Sequence, residues 1–290
     1  MASLKEIRIR IKSVSSTRKI TSAMKMVSAA KLKKAQKTIE NSLPYLSKVT
    51  TILNSFVASL DGGLLPALSE QREVKRVAII AVSSNSSLCG AFNSNVAKTF
   101  NALYKEYGQT LGAKHIRVYP IGKKITEVVT NLGIKAKENH IDIAHDLDYA
   151  SVSALMGKLI ADFSEKRIDK VEIIYNHFKS AGVQQVCTAT LLPFFPDTNA
   201  SKSDNTDYII EPNISELVDE LMPKVAKLRL FSALQDSIAA EHAARTTAMQ
   251  IATDNADDLT QELKLNYNKM RQAAITTEIL TITSGAEALK

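Results

Sequence analysis

The sequence predicts an α/β protein: a long antiparallel coiled coil of N- and C-terminal helices with an inserted Rossmann-like α/β domain. Three observations carry this. Apolar residues recur every three or four positions from Ile214 to Ala274, and again from Leu4 to Leu60. Between them, short β-branched runs alternate with helical patterns and turn residues. Spacings of three and four put one residue per turn on a single helix face, while alternating strands and helices imply a largely parallel sheet.

The C-terminal stripe runs through Ile214, Leu217, Leu221, Val225, Leu228, Phe231, Leu234 and Ile238. After a polar step at His242 and Arg245 it resumes at Met249, Ala252, Ala256, Leu259, Leu263, Tyr267, Met270 and Ala274. No glycine lies between Gly182 and Gly285, and Pro212 suits a first helical turn. A helix of this length, roughly 100 Å at 1.5 Å per residue, cannot bury its stripe in an ordinary core and needs a second helix beside it.

The N-terminal residues supply that partner. Leu4, Ile7, Ile11 and Val14 follow a heptad seam. The phase then slips through Ile20, Met24, Val27, Leu32 and Ala35, and recovers at Ile39, Leu43, Leu46, Val49, Leu53, Phe56 and Leu60. Pro44 and Pro223 are expected to kink or break their helices. The boundaries that follow are 1–60 for the first coiled-coil helix, 74–196 for the α/β domain and 208–290 for the last helix. Two separate helical bundles are the plainer alternative.

Asp61, Gly62, Gly63 and Pro66 mark a linker. Val74–Val82 reads as a buried strand, Ala91–Tyr107 as a helix stopped by Gly108, and His115–Tyr119 as a strand closed by Pro120. Lys123–Asn131 is a helix, Ile134–Ala136 a brief third strand, and Leu147–Lys166 another helix. Lys170–Phe178 and Val183–Leu192 read as an antiparallel hairpin turning near Gly182, ended by Pro193 and Pro196. Residues 197–207 form a polar loop, and Tyr208–Glu211 leads into the last helix.

Composition narrows the function. Two cysteines, Cys89 and Cys187, make neither a disulfide framework nor a CxxC pair. No apolar run reaches the ~18 residues of a membrane span. The charge is lopsided: residues 1–40 hold eleven Lys or Arg against two acids, +9, whereas residues 241–290 hold five bases against seven acids, −2. Such a positive rod suits nucleic acid, anionic lipid or an acidic protein surface, or is simply a solvated face.

Catalytic signatures are missing. Neither GxxxxGK[ST] nor GxGxxG occurs, and ten glycines are few for a phosphate-cradling chain. The first strand ends in a polar turn, SSNSSLCG, at the sheet edge where ligands favour binding. Cys89 in that turn sits near a helix N-terminus, as a reactive thiol would, yet no His or acid accompanies it, so a buried structural cysteine is expected. His140, Asp142, His145, Asp146 and Asp148 are metal-ligand types crowded together, but Asp146 or Asp148 serves as well for a helix N-cap. No cofactor or metal is expected.

The two ends carry a resemblance. Residues 5–35, KEIRIRIKSVSSTRKITSAMKMVSAAKLKKA, closely resemble the start of the gamma-subunit family of F-type ATP synthases. AAEHAARTTAMQIATDNADDL, LNYNKMRQAAIT and the terminal TSGA resemble its C-terminal helix, and VKRVAIIAVSS and LCGAFN match the family's middle in outline. Two departures stand out. Asn85, Ser86 and Ser87 replace the charged and glycine positions of the family's S-[TD]-[RK]-G-L-C-G turn, and Thr281 stands where the family carries an acid.

The resemblance implies a non-catalytic rotor. The coiled coil would be the central shaft of F1, passing through a ring of three alpha and three beta subunits. Ile275, Ile279, Ile282 and Leu289 would form an apolar bearing in a hydrophobic sleeve. Met24 and Lys25 match positions facing an acidic beta lever segment, and Arg271, Gln272 and Thr276 match positions touching beta loops, as does Arg245. The α/β domain would lie near the epsilon subunit and the c-ring, whose proton-driven turning the shaft would transmit. The expected location is the cytoplasmic face of a bacterial inner membrane. A lopsided charge and a curved seam would make each orientation of the shaft favour a different beta state. The competing readings are a basic coiled-coil nucleic-acid binder, whose binding would fall steeply with salt, and a small-molecule enzyme built on the strand-end turn.

Overall fold

The computed structural model describes residues 4–59, 67–195 and 213–288. The order is α1 (Leu4–Ser59), β1 (Val77–Val82), α2 (Phe92–Thr110), β2 (Ile116–Ile121), α3 (Lys123–Asn131), α4 (Tyr149–Ser164), β3 (Lys170–Ser180), β4 (Val183–Leu192) and α5 (Ile214–Ala288), with 3₁₀ turns at Ala67–Ser69 and Ala113–His115. The chain divides into two compact units, residues 1–28 with 245–290, and residues 29–244. The division falls within both long helices rather than at the edges of the α/β segment. The linker at 61–66, Leu60, Pro196, the loop at 197–207, Tyr208–Glu211 and Pro212 lie outside the described residues.

In the unit 29–244, β1 is the centre of a four-stranded sheet of order β2-β1-β3-β4. It pairs in parallel with β2 and β3, and β3 pairs antiparallel with β4. All six residues of β1 are buried, as a continuous apolar run demands when helices cover both faces. One face, Ala78, Ile80 and Val82, packs with Val152, Leu155, Leu159 and Phe163 of α4 and with Leu53, Phe56, Val218, Met222 and Leu230 of the long helices. The other face, Val77, Ile79 and Ala81, packs with Val96 and Phe100 of α2 and Ile125 and Val129 of α3. The result is a three-layer core with the sheet in the middle.

Several expected boundaries shift for physical reasons. β1 begins at Val77, not Val74, because Lys75 and Arg76 donate their backbone N–H groups to the Asp169 side chain, at 3.1 and 2.9 Å. Gly108 lies inside α2, which runs on to Thr110; the left-handed residue is Gly112 (φ 84°). Pro120 sits inside β2 opposite Ala81, tolerated because β2 is an edge strand. Ile134–Ala136 forms no strand: Ile134 and Ala136 pack against the second core face while Lys137 donates its N–H to the Val118 carbonyl at 2.9 Å. α4 begins at Tyr149 because Asp148 caps it, accepting from the Ser151 N–H at 3.1 Å.

Pro44 and Pro223 break neither helix. Each forgoes one backbone hydrogen bond, but the flanking turns are held by packing: Val49, Leu53 and Phe56 follow Pro44 into the core, and Met222 and Val225 bracket Pro223. α5 opens with a reciprocal cap. Asn213 Oδ1 accepts from the Glu216 N–H at 2.8 Å, and Asn213 Nδ2 donates to Glu216 Oε1 at 2.9 Å. Ser42 donates to Gln235 Oε1 at 2.9 Å, joining α1 to α5 within this unit.

Candidate functional site: the two ends of the chain

Within the unit of residues 1–28 and 245–290, α1 and α5 run antiparallel. Arg8 donates to the Tyr267 hydroxyl at 2.7 Å, with its guanidinium 5.7 Å from that ring's centroid. Arg18 pairs with Asp257, and the Thr21 and Thr253 hydroxyls lie 2.8 Å apart. Partners on α5 fall in number as those on α1 rise. The contrast between a basic first helix and an acidic last one is thus partly consumed in cross-helix pairs.

The expected phase slip after Val14 is absent from the burial pattern. Ile7, Thr21 and Ser28 are buried and Ile11 and Val14 half-buried, so the heptad phase set by Ile7 and Val14 continues through Thr21 and Ser28, while Arg18 at the alternate position is exposed. Ile20 and Val27 are about 60 % and 57 % exposed, so they lie outside the seam. Leu43, expected in the seam of the other unit, is also exposed, and Ser42 takes its place. On α5 the seam follows Met249, Ala256, Leu263, Tyr267 and Met270 as expected, but Ala274 is exposed. From Arg271 to Glu287 every residue is exposed, and helix persists to Ala288.

That exposed stretch holds most of the expected contact residues. Arg271, Gln272 and Thr276 are all open to solvent, and the Thr276 hydroxyl donates to the Gln272 carbonyl at 2.9 Å. Ile275, Ile279 and Ile282 are exposed, Ile282 by 67 %, at spacings of four and three. Leu289 lies outside the described residues. Met24 and Lys25 are half-buried on α1, whereas Arg245 is buried, 6 % exposed.

The strand-end turn is closed rather than poised for ligand. Leu88 and Gly90 adopt left-handed backbone (φ 68° and 59°). Asn85 Oδ1 accepts the Lys123 N–H at 2.8 Å, the Ser84 carbonyl accepts the Lys124 N–H at 3.2 Å, and Ser83 Oγ accepts the Ile125 N–H at 2.8 Å. The Thr126 N–H goes to the Gly122 carbonyl. The open N–H groups of α3, where an anion would sit, are therefore all occupied. A Cβ on Gly122 (φ 99°) would fall 2.2 Å from the Ser83 carbonyl oxygen, so only glycine allows this approach. Cys89 is buried with Phe92, Ala240 and Ala244, and Asn93 Nδ2 donates to its sulfur at 3.1 Å. Among the described residues no His, Cys, Asp and Glu side chains gather as metal ligands, and no helix is long and apolar enough to cross a membrane.

A family profile described as ATP synthase matches residues 3–289. The ATP synthase gamma chain of Bacteroides fragilis is 51 % identical over 294 residues, covering 99 % of this chain and all of the relative. The chain belongs to the ATP synthase gamma-chain family. The gamma chains of Phocaeicola vulgatus (47 % over 291 residues, 99 % of this chain and 100 % of the relative) and Flavobacterium johnsoniae (48 % over 289, 100 % and 99 %) are similar to it throughout. Two solved structures share the fold. One is a chain of the Euglena gracilis mitochondrial ATP synthase OSCP/F1/c-ring (TM-score 0.69, 20 % identity, covering 99 % of this chain and 94 % of that one). The other belongs to the Tetrahymena thermophila central stalk and c-ring (TM-score 0.59, 23 %, 80 % and 99 %).

As a member of this family the chain is a component of ATP synthase and its rotor shaft. The departures noted in the sequence acquire a shape. Asn85 does local work, capping α3 and donating to the Ile141 carbonyl at 3.2 Å. Thr281 turns its hydroxyl back to the Thr277 carbonyl at 2.7 Å, a bond an acid would not make. Sequence reasoning missed Thr21 and Ser28 as seam residues. It also missed Asp169, 4 % exposed, which is bound by the Lys75 and Arg76 N–H groups and by Arg72 Nε at 2.9 Å.

Proposed function

We propose that this chain transmits torque without catalysing chemistry itself. Its exposed C-terminal helix would turn inside a ring of alpha and beta subunits, while the α/β domain faces the epsilon subunit and the c-ring. The observation that carries this is the run from Arg271 to Glu287, helical and exposed on every side, with Ile275, Ile279 and Ile282 one turn apart. Isoleucines so placed gain nothing from water and mark a surface meant for a surrounding partner.

In this reading Ile275, Ile279, Ile282 and Leu289 form the bearing. Arg271, Gln272 and Thr276 meet beta loops, and Met24 and Lys25 meet the acidic beta lever. Arg245 offers too little surface to be included. The segments 1–60 and 208–290 would then be the moving coil, with 74–196 its foot. The working site would be the cytoplasmic face of a bacterial inner membrane, in keeping with bacterial relatives. Cross-helix use of Arg8 and Arg18 weighs against nucleic-acid binding, and occupied N–H groups at α3 weigh against a nucleotide enzyme.

The test is reconstitution with alpha and beta subunits, then ATPase and single-molecule rotation. Arg271→Ala with Gln272→Ala should lower coupled turnover about tenfold with the assembly intact, the scale of an interface hot spot. Wild-type torque from the double variant would remove these contact assignments. ATP hydrolysis by the chain alone would remove the non-catalytic reading.

A further inference from the structure

Lys31, Lys34, Ala35 and Thr38 of α1, the 145–147 segment before α4, and Phe231, Gln235, Ile238 and His242 of α5 line an open cavity of about 300 Å³ within the unit 29–244. That volume lies at the small end of ligand clefts, roughly 300–1,000 Å³. The strand-end turn and the exposed tip of α5, residues 271–287, contribute nothing to it. Its lining divides by chemistry. Lys31 and Lys34, one turn apart, present two ammonium groups, and His145 and His242 add imidazoles. Ala35, Leu147, Phe231 and Ile238 are apolar. Asp146 supplies an acceptor. Ser42 holds Gln235 by its Oε1, leaving the amide nitrogen as a donor. Phe231 is fixed edge-on against Tyr149, with ring centroids 5.5 Å apart.

We propose that this cavity binds a small phosphate ester with a flat apolar body and at least one hydroxyl, of the nucleoside monophosphate class. The phosphate would take the lysines as point charges and the His145 imidazole as a hydrogen-bond donor. The body would lie against Phe231, Leu147 and Ile238, and a hydroxyl would donate to Asp146. A bare anion uses only half of this lining and meets Asp146 as a like charge. A neutral molecule leaves both lysines without a counter-charge. The ligand would bridge α1, the loop before α4 and α5. The site stands apart from the rotor reading, whose contact residues lie elsewhere in the sequence.

The full chain is titrated calorimetrically with AMP, adenosine and inorganic phosphate. AMP should bind about tenfold or more tightly than either fragment. Lys34→Gln and His145→Gln, both at exposed positions, should each weaken AMP about fivefold or more with unchanged circular dichroism, while Lys12→Gln binds as wild type. Absence of heat with AMP at millimolar concentration overturns the proposal. So does equal affinity for AMP and phosphate, or retention of wild-type affinity by both cavity variants.

Discussion

Asp169 and Thr21 are both buried polar side chains, one in each unit, and they are held very differently. Asp169 ends the loop after α4 and is gripped by two backbone N–H groups and the Arg72 guanidinium. Arg72 in turn donates to the Phe163 and Ile168 carbonyls at 2.7 and 2.5 Å and lies 4.3 Å from the Phe163 ring centroid. Thr21 meets the Thr253 hydroxyl across the seam, and its hydroxyl also lies 3.0 Å from the Arg18 carbonyl, a bond internal to its own helix. Asp169 is thus held by charge and by backbone groups distant in sequence, whereas Thr21 is held by a hydroxyl like its own and by its own helix.

The largest expected effect tests the first half of that contrast. Asp169→Ala takes the nearest carboxylate from the half-buried Arg72 guanidinium and frees two N–H groups, so it should cost about 3 kcal/mol, read by denaturant unfolding of the full chain. A loss under ~1 kcal/mol, the scale of an exposed pair, would show the cluster to be replaceable and erase the difference. A smaller effect tests the second half. Thr21→Val alone should cost roughly 1 kcal/mol by leaving Thr253 short of a cross-helix partner, and Thr21→Val with Thr253→Val should recover most of it, since removing both partners of a hydrogen bond is nearly neutral. A double variant as damaged as the sum of its parts would mean that the seam needs the hydroxyls themselves.

The smallest effect is in pH. Burial holds the His140 imidazole below its usual pKa, opposed by Glu138 and assisted by Lys158. Glu138 Oε2 is 3.5 Å from its Nε2. A depressed folded-state pKa means that the unfolded chain takes up the proton first. His140 therefore favours folding fully above about pH 6.5 and lets stability fall as pH drops below that value. His140→Gln should flatten the stability profile just under pH 6.5 without moving it at pH 8. An unchanged slope there would place the acid sensitivity elsewhere.

What the sequence made legible was whatever depends on local periodicity. Helix α3, strand β4 and the start of β3 fall where spacing and turn residues place them, because each carries its own signal. The seam between Val14 and Leu32 was misread because hydrophobicity was taken as the mark of burial. Thr21 and Ser28 keep the heptad phase and bury only small polar groups, while Ile20 and Val27 point outward. Pro44 does not break α1 and Gly108 does not end α2, because neighbouring residues anchored in the core outweigh one lost bond or one flexible residue. The clamp on Asp169 had no linear signature, since its donors come from residues more than ninety positions away. Of the candidate site, motif resemblance singled out residues at the tip of α5 that the structure leaves exposed, whereas it gave no sign that Arg245 is buried.

Gly122 and the three polar residues of the 83–85 turn have a wider implication. In many α/β folds the positive pole of a helix facing a strand end is the natural berth for a phosphate. Here that berth is filled from within by a carbonyl and two side chains, packed so tightly that a single methyl group would not fit. No anion can take that place without unmaking the bend, so the end of α3 is reserved for the chain's own groups.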